Sequence, residues 1–458
     1  MNPLVDQYFE SLLGRRVCVL GIGVSNRPLI RMLLARGISV VACDKTERGA
    51  LDDEVLELER QGAELHVGAD YLEGLEADVV FRTPGMHPNI PALCTLRAQG
   101  AEITSEMEAF FEVCPCRIIA VTGSDGKTTT TTLIAKILEH AGHRVWLGGN
   151  IGTPLLPLAD RMTPTDTAVV ELSSFQLMGM ERSAEIAVVT NLAPNHLDVH
   201  RDMQEYIDAK KNVFLHQDAS GKLVLNMDND ITRSFAPLAP GSVEMFSRHG
   251  RPETGVYLEN GVIFRNGTPI LRAADIRIPG MHNVENYMAA ACAVEGLARD
   301  SDIEAVARSF GGVEHRIEFV RELDGVKYYN DSIASSPSRT IAGLHAFTQK
   351  LVLIAGGYDK HVPFDVLGPE LCRHVRLLIL CGATAGKIRQ AVLDAPEYAP
   401  GAPEIVETST LAEAVETARA LAEPGDIVTL SPACAAFDQF KNFMVRGQTY
   451  KQLVRALK

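Results

Sequence analysis

Residues 121–132 read VTGSDGKTTTTT. They follow the apolar run Arg117-Ile-Ile-Ala-Val121 and open the amphipathic run Leu133-Ile-Ala-Lys-Ile-Leu-Glu-His140, so the order is strand, glycine loop, helix. Gly123 and Gly126 let the backbone take φ > 0 and approach a ligand closely, with Ser124 and Asp125 between them. Successive N–H groups through Thr129 and the positive helix N-terminus then converge on a phosphate. Lys127 adds a point charge, and Thr128 is the hydroxyl that ligates Mg²⁺ beside β- and γ-phosphates in such loops. The pattern G-x-x-x-x-G-K-[ST] calls for glycine at 121, where this chain has Val121, so only T-G-x-x-G-K-T-T remains. The bland alternative is a glycine turn before a helix with a solvated lysine. The preceding strand and the threonine run favour ATP.

At 458 residues the chain is long enough for about three domains, and 46% hydrophobic content is ample for packed cores. A formal net charge of −14 argues against nucleic acid or an anionic membrane surface as partner. Nine cysteines are scattered singly, and the close pair Cys114-Pro-Cys116 has no second pair to complete a zinc site, as expected of reduced thiols in a cytoplasmic protein. The opening MNPLVDQYFE lacks a basic and apolar signal pattern, and no apolar run approaches membrane-spanning length, so neither secretion nor membrane spanning is expected.

Residues 15–105 alternate short β-branched runs (Arg16–Leu20, Ser39–Cys43, Ala77–Phe81) with helical stretches, the rhythm of a parallel βαβ sheet. The first βα turn is Gly21-Ile-Gly23-Val24-Ser25-Asn26, with asparagine where a dinucleotide fingerprint has its third glycine. Such a turn can hold a diphosphate, and Asp44, ending the next strand, can accept from a ribose or a base. The competing reading is a tight turn with a capping aspartate. Thr83-Pro-Gly85 is a further strand-end turn on the ligand side of the sheet.

Beyond the phosphate loop the α/β rhythm continues through strand candidates Arg144–Leu147, Thr167–Leu172, Ile186–Asn191 and Lys222–Asn226. Asn150 offers an amide in Gly148-Gly-Asn-Ile-Gly152. Glu171 closes an apolar strand, where a carboxylate is costly to bury unless paired or metal-bound, which makes it the leading metal ligand. His196 also lies just past a strand, a position that favours a ligand over a structural histidine. Gly255–Phe264 reads as a hairpin about Asn260-Gly261. Met281-His-Asn283-Val-Glu-Asn286 opens an alanine-rich helix whose amides can contact a base or ribose, with capping as the alternative for Asn283. A last βα series runs through Val326–Asp331, Leu351–Gly357, Arg376–Gly382 and Asp426–Ser431. The fold class is therefore α/β in three domains: residues 1–107 Rossmann-like, 108–312 a central P-loop-type ATPase domain with a largely parallel sheet, and 313–458 Rossmann-like again, joined by short hinges.

Across nearly its whole length the chain resembles the Mur ligases, ATP-dependent amide-bond-forming enzymes of peptidoglycan synthesis. The resemblance is carried by Thr122–Thr129, Gly149-Asn150-Ile-Gly152, Glu171-Leu-Ser-Ser-Phe-Gln176, His282-Asn-x-x-Asn286 and His315-Arg316. Asn330-Asp-Ser332 and Leu430–Phe443 are similar to the member that adds D-glutamate to UDP-N-acetylmuramoyl-L-alanine. The resemblance implies that the N-terminal domain holds the UDP group through Gly21, Val24, Ser25, Asp44, Thr83 and Gly85, helped by Asn150. It implies an ATP site of Gly123 through Thr129 completed by Asn286, Arg316 and Asp331, two Mg²⁺ ions on Thr128, Glu171 and His196, and D-glutamate held by Ser335, Lys360 and Phe443. Lys210 matches the lysine that the family carbamylates with CO₂, which turns a cation into an oxygen ligand. Lys127, Glu171, His196, Lys210 and Arg316 are the expected catalytic set, acting on two small-molecule substrates in a cytoplasmic monomer.

Three positions depart from the family pattern: Asn195 for aspartate, Ile333 for lysine and Ala436 for serine. The last two lie where the D-glutamate carboxylates are expected. Ser336-Pro337 as N-cap and first helical residue would then present a helix N-terminus to the ligand, with Lys360 as the cation and Arg339 as a second candidate. The rivals are a folylpolyglutamate-type ligase, a nicotinamide-dependent dehydrogenase using the Gly21 turn, and an inactive scaffold. The first begins close to its phosphate loop, whereas about 120 residues precede it here.

Overall fold

The computed structural model describes residues 2–194, 199–360 and 362–458. The chain forms two compact units, Met1–Ala273 with Glu285–Val306, and Ala274–Val284 with Ala307–Lys458.

The first unit holds two sheets. In the N-terminal one, β1 (Val17–Leu20), β2 (Val40–Asp44), β3 (Glu64–Val67), β4 (Val79–Arg82) and β5 (Glu102–Thr104) run parallel in the order β3-β2-β1-β4-β5. Strand order reverses between β1 and β4, where a doubly wound sheet opens a ligand crevice at its carboxyl ends. Alternate residues of β1 feed opposite layers: Val17 and Val19 join the core shared with the helices Pro3–Glu10 and Asn26–Ala35, and Cys18 and Leu20 join a second cluster with Leu93 and Leu96. A strand covered on both faces must be apolar throughout, which explains its unbroken hydrophobic run.

The second sheet has nine strands in the order β14-β13-β12-β11-β10-β9-β6-β8-β7. Its members are β6 (Arg117–Thr122), β7 (Val145–Gly149), β8 (Thr167–Glu171), β9 (Ile186–Val189), β10 (Lys222–Asn226), β11 (Ser242–Ser247), β12 (Gly255–Glu259), β13 (Val262–Arg265) and β14 (Thr268–Arg272). Strands β6 to β12 are parallel, and the hairpin β12–β13 turns at Asn260 and Gly261, both at positive φ. β6 lies between β8 and β9, so three strand ends meet around the loop that follows it.

The third sheet fills the second unit in the order β15-β16-β20-β17-β18-β19. It comprises β15 (Glu318–Leu323), β16 (Val326–Asn330), β17 (Leu351–Ala355), β18 (Val375–Leu380), β19 (Glu404–Glu407) and β20 (Ile427–Leu430), with only β15 antiparallel to its neighbour. Leu351 and Leu353 pack on one side, Val352 and Ile354 on the other. No helix among the described residues is long and apolar enough to cross a membrane. All nine cysteines are free, seven of them buried.

Two local readings are refined. Helix Met281–Ala293 begins two residues before Asn283, so Asn283 is not its cap; the amide donates back to Pro279 O instead (2.5 Å). Ser336 does occupy the N-cap position of helix Pro337–Leu344, but its hydroxyl makes no capping bond and lies 3.3 Å from the Ser338 hydroxyl.

Candidate active site

β6 ends at Thr122 and helix Lys127–His140 begins five residues later. A Cβ on Gly123 (φ 147°) would lie 2.0 Å from the Thr190 hydroxyl, and one on Gly126 (φ 78°) 2.4 Å from Asn286 Oδ1, so both positions exclude side chains. The loop is hung from the end of β9. Ser124 N donates to Asn191 O (2.8 Å), Asp125 N to Asn191 Oδ1 (2.9 Å), and the Thr190 hydroxyl to Asp125 O (2.6 Å). The Ser124 hydroxyl donates to Ala193 O (2.9 Å) and lies 2.9 Å from Tyr206 OH. These bonds leave the first-turn N–H groups of Lys127, Thr128 and Thr129 aimed out of the helix, where an α-helix has no acceptor for them. Lys127 Nζ reaches back to Gly123 O (2.9 Å) and Ser124 O (2.8 Å), which fixes its charge over the loop. Asn286 stands beside it, accepting from the Thr130 hydroxyl (3.2 Å).

Glu171 ends β8 next to Val121 of β6 and Gly149 of β7. Its side chain is buried; Oε1 accepts from Asn150 Nδ2 (2.7 Å), and Oε2 is buried with no hydrogen-bond partner. Asn150 thus orients the Glu171 carboxylate. A buried carboxylate oxygen with no donor is costly unless a cation completes it. The segment after Glu171 is fixed by a capping box, in which Ser173 and Gln176 close the start of helix Ser174–Leu177.

Lys210, on helix Met203–Lys211, is buried beneath the loop. Its Nζ donates to the Thr122 hydroxyl (3.0 Å) and Gly123 O (2.9 Å) and lies 4.9 Å from the Tyr206 ring centre. Burial, with Lys127 nearby, pushes its pKa well below the usual lysine value, although Glu171 opposes this. The amine is therefore drawn toward its neutral, nucleophilic form. Lys211 is unlike it, pairing with Asp208 (2.8 Å) at the surface.

The N-terminal strand ends bring Gly21, Thr83 and Asp44, three of the expected UDP residues, together. Thr83 packs against Gly21, whose missing side chain leaves room for it. Asn26, in the place of a third glycine, closes the turn by donating to Gly21 O (2.8 Å). Val24 and Gly85 are exposed and Ser25 half-buried, ahead of helix Asn26–Ala35. Asp44 accepts from Ile22 N (2.8 Å), Thr46 N (3.0 Å) and the Thr46 hydroxyl (2.7 Å). Burial pushes this carboxyl up, and those bonds outweigh it and hold it below the usual range. Asp44 therefore builds the turn as well as facing it. Arg82, not anticipated, is buried and donates to Met86 O (2.6 Å) and Met178 O (2.9 Å). It ties the Thr83 loop to the segment following Glu171, and burial lowers its pKa to about 10.

In the second unit Asp331 follows β16 and is buried, with Oδ2 accepting from the Ser431 hydroxyl (2.8 Å) and Oδ1 from Ile317 N (3.3 Å). Burial pushes its pKa to about 7. Arg316 Nε is buried without a hydrogen-bond partner, between His315 and Ile317, both at positive φ. Arg446, also unanticipated, gives Nε to the Ser332 hydroxyl (3.0 Å) and Nη groups to the carbonyls of Ser332 (2.9 Å), Cys434 (3.0 Å) and Ala435 (3.0 Å). It stitches the Asn330–Ser332 segment to the one after β20. Phe443 O accepts from the Ser332 hydroxyl (2.8 Å), and the Phe443 ring lies edge-on to His315. Ser335 is half-buried, and Lys360 and Arg339 are exposed. Ile333 and buried Ala436 offer no polar side chain here. Asn195 and His196 lie outside the described residues. No sequence signal marks Arg82 or Arg446 as buried; Thr190 and Asn191 were visible as a polar strand end.

The open oxygen of Glu171 and the Thr128 hydroxyl at the helix start are oxygen donors of the kind a hard divalent cation takes.

A family model for the Mur ligase middle domain matches residues 121–294, and one for the Mur ligase glutamate ligase domain matches residues 315–434. Proteins named UDP-N-acetylmuramoylalanine--D-glutamate ligase from Acetivibrio thermocellus and Ruminiclostridium cellulolyticum are each 49% identical to this chain, with all of both chains covered. The same holds for the relative in Clostridium botulinum, at 49%. Among solved structures, UDP-N-acetylmuramate-alanine ligase from Thermotoga maritima superposes with a TM-score of 0.58 at 16% identity, covering 97% of this chain and 100% of that one. A UDP-N-acetylmuramoyl-L-alanyl-D-glutamate–2,6-diaminopimelate ligase also gives 0.58, at 18% identity, covering 96% and 92%. At such identities the likeness concerns the fold.

Proposed function

The chain belongs to the Mur ligase family, and from that membership we propose that it joins D-glutamate to UDP-N-acetylmuramoyl-L-alanine, using ATP, in peptidoglycan synthesis. The observation that carries this reading is the 49% identity, end to end, to ligases of that name. Full coverage of both chains also disfavours the folylpolyglutamate-type, dehydrogenase and scaffold alternatives.

The chemical task is to bring a carboxylate and a triphosphate together and hold them in line. The loop N–H groups and Lys127 receive the phosphates, and the β1 and β4 strand ends receive the uridylyl group. The L-alanyl carboxylate attacks the γ-phosphorus, the bond from it to the bridging oxygen breaks, and ADP leaves. The D-glutamate amine then attacks the acyl carbon of the resulting acyl phosphate; the C–N bond forms, the amine loses a proton, and phosphate departs. Mg²⁺, in the proposed arrangement two ions on Thr128, Glu171, His196 and a carbamate of Lys210, would supply charge neutralisation when bound. The carbamate would form when the buried amine, once deprotonated, adds its lone pair to CO₂ and releases one proton. Asn286, Arg316 and Asp331 belong to the ATP site, and Ser335, Lys360 and Phe443 to the D-glutamate site. Domains of 1–107, 108–312 and 313–458, a monomeric state and a cytoplasmic location complete the proposal.

Phosphate release from ATP tests it. Release that requires both D-glutamate and UDP-N-acetylmuramoyl-L-alanine is expected; release with another amino acid in place of D-glutamate, or with neither substrate, would overturn the assignment.

A further inference from the structure

The C-terminal sheet carries a second cluster of metal-type donors, remote in sequence from the residues assigned to catalysis. His345 caps the C-terminus of helix Pro337–Leu344, and Glu370 and His374 stand one turn apart on helix Leu367–His374. His374 directly precedes Val375, where β18 enters the sheet, so the cluster sits at the end opposite the strand ends that carry Asp331 and Ser431. His345 Nε2 lies 2.6 Å from Glu370 Oε2, and His374 Nε2 lies 3.5 Å from the same oxygen. One donor atom from each residue falls within 4.8 Å of the other two.

We propose that His345, Glu370 and His374 form a site for one divalent transition-metal cation of the zinc type, which clamps the two helices together. Metal–nitrogen and metal–oxygen bonds of about 2.0–2.2 Å place tetrahedral donors roughly 3.3–3.5 Å apart. The His374–Glu370 separation already matches, and the exposed His345 ring needs to withdraw by under about 1 Å to match as well. Arg373 holds the other oxygen, Glu370 Oε1, at 2.5 Å, so Oε2 is the one turned to the imidazoles. Arg373 is in turn paired with Glu397, which draws its charge away from the site. The other nearby cation, Lys350, is engaged with Cys372 O (3.1 Å).

Two imidazoles with one carboxylate and an open fourth position suit Zn²⁺, whereas Mg²⁺ prefers oxygen donors and retained water. Excess Mg²⁺ therefore leaves this site available while occupying oxygen-rich ones. Calorimetric titration of the full chain with Zn²⁺ in excess Mg²⁺ should show one equivalent more for the native protein than for His345→Ala or His374→Ala, and Glu370→Gln should weaken that class about tenfold or more. Without added metal the variants should melt with the native chain, and Zn²⁺ should raise the Tm of the native protein alone. Co²⁺ at the site should give the strong visible absorption of a tetrahedral centre. An isotherm unchanged in His374→Ala, or a site lost with His345 but kept without His374, would overturn the proposal.

Discussion

The strand ends of the central sheet and those of the C-terminal sheet are built on one plan and finished differently. Both gather loops at the carboxyl ends of parallel strands, and both bury a cationic side chain beneath them. In the C-terminal sheet Arg446 gives its guanidinium to the Ser332 hydroxyl and three backbone carbonyls, so its donors are spent on structure. In the central sheet Glu171 keeps a buried oxygen without a donor, and Lys210 is held where a charged amine is disfavoured. Satisfied polar groups hold a loop in place, whereas unsatisfied ones store a preference for something yet to bind. The contrast teaches that burial of a charged residue type points to a ligand most directly where its bonds are incomplete.

The largest effect should come from the satisfied cation. Arg446→Ala takes the guanidinium from the carbonyls of Ser332 and Cys434, while Ala435 O keeps Tyr358 N, and should cost about 3 kcal/mol or more, seen as an earlier melting transition. A loss under about 1 kcal/mol would mean those carbonyls find water, and the contrast would collapse. Glu171→Gln should lower kcat for phosphate release by roughly 10²–10³-fold with folding intact, the scale of losing one charge aimed at the reacting centre. Activity within threefold of native would show that the open oxygen is idle.

Lys210→Ala sharpens the comparison by chemistry. It should lose about 10²-fold in rate and recover part of it in acetate, which restores oxygen ligands, while Lys211→Ala stays near native. Equal losses for the two lysines would point to helix packing. For Lys360→Ala the KM for D-glutamate should rise about 10- to 100-fold with little change for ATP, from loss of a charge-assisted contact of roughly 1.5–3 kcal/mol. A larger effect from Arg339→Ala would transfer the role to that residue.

The effect that is spread most gradually over conditions is a pH slope from Asp331. Its folded pKa is raised to about 7, so between the unfolded value of 3.8 and that point the folded chain holds a proton that the unfolded chain has lost. Stability from this group therefore falls as pH rises through that window, by up to about 1.4 kcal/mol per unit, and levels off above it. Asp331→Asn should remove that component; an unchanged slope would mean that the carboxyl ionises freely in the folded state.

Much of the fold was legible because strands covered on both faces must be apolar throughout: Val17–Leu20, Leu351–Ala355 and the run before Gly123 could be read directly. Glu64–Val67, Glu102–Thr104 and Glu404–Glu407 were not, since these partly exposed strands take their shape from pairing with a neighbour, not from their own pattern. Asn283 looked like a cap because an asparagine near a helix start usually is one. The observed start at Met281 turned it back onto Pro279 O.

The amino-acid sequence by itself determined the phosphate loop, since two glycines, a lysine and a threonine at fixed spacing carry their backbone geometry and charge locally. It also placed Glu171, Asp44 and Asp331 at strand ends, because an acidic residue closing an apolar run has few other places to go. Only the tertiary structure decided which of two adjacent lysines is buried, which oxygen of Glu171 is left open, and that Arg82 and Arg446 lie inside. Burial and hydrogen-bond completion depend on neighbours far away in the chain, from Thr122 beside Lys210 to Ser332 beside Arg446, and no local pattern encodes them.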